Sequence, residues 1–84
     1  MSRLSDLPFD HEAVISTIDW AALSDRDGRR LRELGFDEGV AVEPLHAAGF
    51  ARDPIAVRIG RMTVALRRLH AGFINVEPLG LPAE

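Results

Sequence analysis

The 84-residue chain contains no cysteine. Disulfides, thiolate metal sites and a cysteine nucleophile are therefore excluded. Tyrosine is also absent, and tryptophan occurs once. That removes the aromatic groove with which small barrels receive proline-rich peptides. Lysine is missing as well: all ten basic residues are arginine, a bias assigned to base composition rather than to chemistry. No run approaches the roughly 18 consecutive apolar residues that a membrane-spanning helix requires. The opening Met1-Ser2-Arg3-Leu4-Ser5-Asp6 lacks the apolar core of a secretory leader, so a cytoplasmic address and no membrane insertion are expected. No glycine-rich phosphate loop is present, because the glycines stand singly at turns. A net charge of −3 argues against a nucleic-acid partner, since such binding rests on neutralising phosphates.

What is present suits one small domain spanning residues 1–84. Hydrophobic residues make up 46% and charged residues 27%, enough for one core and an ordinary polar surface. The turn-rich ends, Met1–Asp10 and Pro78–Glu84, are expected on the surface.

The first strand is placed at Glu12–Ile18. Ile15 and Ile18 differ in parity, so a bulge is needed to turn both inward. Ser24-Asp25-Arg26-Asp27 then reads as a capping box, with Ser24 accepting from the first turn and Asp27 reaching back. Leu31 and Leu34 form the apolar stripe of a short helix. Gly35 stops it, and Phe36 folds back onto Leu31. A second strand covers Val40 to about His46, with Pro44 at an edge or bulge because it donates no ladder hydrogen bond. Gly60-Arg61 suits a two-residue type II′ turn between strands Pro54–Ile59 and Met62–Arg67. That turn sets Ile59 opposite Met62, Val57 opposite Val64 and Ile55 opposite Leu66, six apolar side chains on one face. A turn at Arg68–Gly72 leads to a last strand, Phe73–Glu77. The fold class is therefore mainly β: a small SH3-like β-barrel of five or six strands, with one short helix between the first two. Closure would remove exposed edges.

Ordered blocks along the chain resemble a known family. Leu4-Ser5-Asp6-Leu7 looks like its start. Arg29-Arg30-Leu31-Arg32-Glu33-Leu34-Gly35-Phe36-Asp37-Glu38-Gly39 is similar to its helix and the following Leu-Gly-apolar-x-x-Gly signature. Asp53-Pro54-Ile55 resembles the opening of its middle hairpin. Val64-Ala65-Leu66-Arg67-Arg68, with Ala71, Ile74 and Val76, resembles its C-terminal half. The family is FeoA, accessory proteins of ferrous iron transport. Glu38 stands where the family often has proline, and the run Ala48–Pro54 is about one residue longer than usual. The resemblance implies an SH3-like barrel and a cytoplasmic partner, the soluble part of a FeoB-type membrane iron transporter. It also implies a role in modulating uptake; the residues themselves supply no catalytic set, so neither enzymatic activity nor a cofactor is expected.

Candidate chemistry within the chain is sparse. Ser5, Ser16 and Ser24 would need a histidine nearby to act as nucleophiles, and Ser24 is accounted for as a cap. The acids Asp25 and Asp27 fit first-turn charges. His11, His46 and His70 fall in separate segments without paired metal-ligand spacing. A metal-responsive domain binding Fe²⁺ through His11, His46 and carboxylates is the alternative reading. Arg26, Arg29, Arg30 and Arg32 present either a solvated helix face or an arginine surface for an acidic partner. The expected partner contacts are Arg29, Arg30, Arg32, Phe36 and Phe50. Phe50 lies beside a Gly-Ala-rich stretch, where exposure near Leu45 and burial are equally open. Pairing of an uncovered sheet edge would give a weak homo-oligomer.

Overall fold

The computed structural model describes residues 2–48 and 50–79, with the Phe50 side chain outside the described set. Six strands form one antiparallel sheet: β1 (Ser2–Arg3), β2 (Ala13–Ile18), β3 (Ala41–Ala47), β4 (Ile55–Ile59), β5 (Met62–Leu66) and β6 (Ile74–Pro78). Helix α1 (Asp25–Leu34) lies between β2 and β3, and a single helical turn, α2 (Arg68–Ala71), joins β5 to β6. The spatial order is β1-β6-β2-β3-β4-β5, and no ladder joins β1 to β5 among the described residues. The sheet is thus mainly β and small as expected, but it stays open at β1 and β5 rather than closing.

The bulge in β2 falls where residue parity demands it. The register against β6 shifts between Ile15, opposite Val76, and Thr17, opposite Asn75. Ile15 and Ile18 are both buried as a result. Polar groups secure the irregularity. Ser16 Oγ donates to the Asn75 carbonyl at 3.1 Å, and Asn75 Nδ2 donates to Thr17 Oγ1 at 3.0 Å. Pro44 also sits at a register shift, between its pairing with Val57 and that of His46 with Ala56. It is fully buried, and its carbonyl accepts from the Asp10 amide at 2.7 Å.

The β4–β5 hairpin has the expected register, Ile59↔Met62, Val57↔Val64 and Ile55↔Leu66. Gly60 takes φ +62°, and a Cβ added there would meet nothing within 4 Å, so backbone conformation rather than crowding requires glycine. Burial is not symmetric across the pair. Ile55, Val57 and Ile59 are buried, whereas on β5 only Leu66 is, Val64 is half-buried and Met62 is exposed. An edge strand has a neighbour on one side only, so the face weakens toward its end.

The N-terminal segment corrects the expectation of a surface tail. Ser2 and Arg3 pair with Val76 and Asn75. Leu4–Asp6 forms a 3₁₀ turn, and Leu4 and Leu7 are buried in the core. Side chains three apart eclipse on such a turn, so the Leu4/Leu7 spacing points both inward. At the other end Pro78 pairs with Ala13, and the Leu79 amide donates to the Glu12 carbonyl at 2.8 Å. The expectation for residues 80–84 lies outside the described residues.

One apolar cluster joins these elements: Leu4, Ile15, Leu31, Phe36, Val42, Val57, Leu66 and Ile74 are among its members. No polar or charged residue is buried among the described residues. The segment Arg68–Gly72, expected as a turn, is the helical turn α2. Its first amide, Arg68 N–H, donates to Asp53 Oδ1 at 3.0 Å. Asp53 therefore acts as a cap from 15 residues away.

Candidate interaction surface

Helix α1 anchors the surface. Ser24 Oγ accepts from the Asp27 amide at 3.0 Å, while Asp25 and Asp27 sit in the positive first turn. The reciprocal half of the capping box is not made. Instead, the Asp27 carboxylate lies 3.3 Å from His70 Nε2 on α2. At the other end Gly35 adopts φ +103°, and the Phe36 amide donates to the Leu31 carbonyl at 2.9 Å. This is the six-to-one bond of a left-handed helix stop.

The helix docks through Leu31, which is buried, and Leu34, which is half-buried. Trp20 covers its flank. A Cβ at Gly28 would lie 3.6 Å from Trp20 Cε3, and the Arg32 guanidinium sits 4.1 Å from the ring centroid. Gly28 and Arg32 are one turn apart, so a single indole spans both. The pair is a cation–π contact that fixes Arg32 against the body.

The predicted contact residues divide. Arg29, Arg30 and Arg32 are exposed on α1, together with Arg26. Among the described residues none of the four has a carboxylate within ion-pair distance. Phe36 is fully buried, which corrects its assignment to the contact surface. Reversal of the chain at Gly35 drives its ring into the core beneath the helix. The Phe50 side chain lies outside the described residues. Its backbone begins a short turn in which Ala51 and Arg52 both take positive φ, 57° and 61°.

A groove of about 770 Å³ separates α1 from the β5 edge and α2. Leu31 and Leu34 line one wall, Ala65, Leu66 and Leu69 the other, and Pro54 closes an end. Arg26, Arg30 and Arg67 stand on its rim, with the Asp27–His70 pair across it. Leu69 is 66% exposed, the most open large apolar side chain described. On sequence grounds His70 is weighed only as a metal ligand and Arg67 only as the end of a strand, and a plain turn at Arg68–Gly72 gives Leu69 no surface role. The available signal was an apolar leucine flanked by basic residues. The helix that presents it depends on Asp53, distant in sequence.

The candidate metal and catalytic groups are not assembled. His11 Nδ1–H faces the Phe9 carbonyl at 3.0 Å, and His46 Nδ1–H faces the Ala47 carbonyl at 3.3 Å. No cluster of three or more His, Asp or Glu side chains able to hold a metal occurs among the described residues. No serine is hydrogen-bonded to a histidine among them. No helix among the described residues is long and apolar enough to cross a membrane.

Comparison with known proteins bears on this architecture. The FeoA domain model matches residues 2–78. A crystal structure of Stenotrophomonas maltophilia FeoA with zinc, described as an SH3 domain protein, is 32% identical. It covers 92% of this chain and 91% of that one, with a TM-score of 0.77. Iron(II) transport protein A from Clostridium thermocellum is 30% identical with a TM-score of 0.82, over 94% of this chain. The match spans only 46% of that longer chain. FeoA from Chlorobium tepidum is 29% identical with a TM-score of 0.79, over 98% of this chain and 82% of its own. No curated protein sequence matches. The chain therefore belongs to the FeoA family, small accessory domains associated with ferrous iron transport, and carries that family's SH3-like fold.

Proposed function

We propose that this chain is a cytoplasmic, non-catalytic regulator of ferrous iron uptake that docks on the soluble part of a FeoB-type transporter. Family membership supplies the process. The S. maltophilia relative is itself regarded as a candidate activating factor of bacterial ferrous iron transport. The observation that carries the docking role is the α1 surface: Arg26, Arg29 and Arg30 project from a rigidly capped helix without ion-pair partners among the described residues. Exposed arginines on a preorganised element are suited to bidentate recognition of carboxylates.

The test is a pull-down with the cytoplasmic GTPase domain of the transporter from the same genome. The wild-type chain retains that domain, and Arg29→Glu/Arg30→Glu loses most of it while keeping the wild-type thermal midpoint. Equal retention by both proteins removes α1 from the interface. No retention by the wild-type chain overturns the transporter as partner.

A further inference from the structure

We propose that the groove between α1 and β5 takes an extended, acidic segment of a partner protein, added to the sheet as a further strand on β5. This deepens the docking role above and rests on it for the partner's biology, but its physical basis is separate.

The first observation is the edge. β5 ends the strand order, so only one of its sides is paired. Ile59 and Met62 flank a two-residue turn and exchange both ladder hydrogen bonds. Pairing alternates along the strand. Met62, Val64 and Leu66 therefore direct their amides toward β4, and Thr63 and Ala65 direct theirs outward. No backbone bond from another segment reaches Thr63 or Ala65 among the described residues. The other open edge, β1, is only two residues long.

The second observation is what flanks that edge. Ala65, Leu66 and Arg67 line the groove directly, opposite Leu31 and Leu34 of α1. A strand laid along β5 would thus have helix on its other side. Its side chains alternate between faces. Apolar ones meet Leu34, Leu66 and Leu69, while main-chain bonds to Thr63 and Ala65 supply register.

The third observation selects the charge. Arg26, Arg30 and Arg67 rim the groove, and its one carboxylate, Asp27, already faces His70. Acidic side chains on the incoming strand would complement the three arginines. A second copy paired antiparallel through the same outward amides, Thr63 opposite Ala65, would set Arg67 of each copy opposite Arg61 of the other, placing like charges together. Charge therefore favours an acidic foreign strand over self-pairing.

The experiment pans the immobilised full chain against a displayed library of random 12-residue peptides and synthesises the enriched sequences for binding and amide-exchange measurements. Expected are sequences rich in Asp and Glu alternating with apolar residues. On binding, the Thr63 and Ala65 amides exchange at least tenfold more slowly, and 0.5 M salt weakens binding. Ala65→Pro removes an outward amide that β4 does not use, so the edge tolerates it. It lowers affinity at least tenfold, and Arg26→Glu/Arg30→Glu does the same. The exchange measurement on the wild-type chain decides the matter should either variant misfold. Several outcomes overturn the proposal: no enrichment, enrichment of basic peptides, binding without slowed exchange at Thr63 and Ala65, or self-pairing through β5 without peptide, seen as concentration-dependent exchange. The selection involves no transporter, so its failure is distinct from a failed pull-down.

Discussion

The guanidinium of Arg32 lies over the indole of Trp20, 4.1 Å from the ring centroid. It ties the last turn of α1 to the 3₁₀ turn that follows β2. An exposed cation–π pair contributes about 0.5–1 kcal/mol. A double-mutant cycle with Trp20→Leu and Arg32→Gln, read by denaturant unfolding, should return a coupling energy of that size. Coupling near zero would show that Arg32 is held by nothing more than solvent.

Two glycines of the helix should respond in opposite directions to alanine. At Gly28 a Cβ meets Trp20 at ordinary contact distance, 3.6 Å, and φ is not in the left-handed region. Alanine gains helix propensity there, so Gly28→Ala should stabilise by roughly 0.5–1 kcal/mol. Gly35 has φ +103°, where a side chain is strained. Gly35→Ala should cost about 1–2 kcal/mol. Thermal midpoints of the two variants, moving up and down respectively, check both.

Asp53 caps α2 through space, since its carboxylate accepts from the Arg68 amide at 3.0 Å. The Arg68 guanidinium also donates to the Arg52 carbonyl, so both ends of one arginine hold the loop. Asp53→Ala should cost on the order of 1 kcal/mol, and Asp53→Asn less. The local reading is amide exchange at Arg68 and Leu69, which should quicken in the alanine variant while β2 and β6 stay protected.

Phe36 gives a way to separate core from contact. Its ring is fully buried, so Phe36→Ala should destabilise by about 3–5 kcal/mol. Loss of partner binding in that variant should follow the loss of folded protein. Phe36→Leu keeps most of the apolar volume and should restore both together. Binding lost by a fully folded Phe36→Leu would return Phe36 to the interface.

Local chemistry was legible wherever neighbours in sequence are also neighbours in space. Ser24 as cap and Gly35 as stop follow from positions within one turn of the helix. The hairpin register follows from Gly60-Arg61 and the parity of the flanking aliphatics. The β2 bulge follows from the mismatch between Ile15 and Ile18. In each case a short-range steric or hydrogen-bonding rule leaves one solution.

Long-range placement was not legible by those rules. The N-terminus is no surface tail, because Ser2 and Arg3 pair with β6 at the far end of the chain and Leu4 and Leu7, which follow them, join the core. The reciprocal capping bond from Asp27 is replaced by His70, a partner no local rule could supply.

The limits of α1, the β2 bulge and the hairpin register follow from residues close together in the chain, and the ordered motifs give the family. Tertiary structure decided that the sheet stays open at β5, that Phe36 faces inward, and that Arg26, Arg30, Arg67 and Leu69 border one groove. The division has one physical cause. Backbone propensities act over a few residues, whereas burial and surface clustering depend on which distant segments the apolar core brings together.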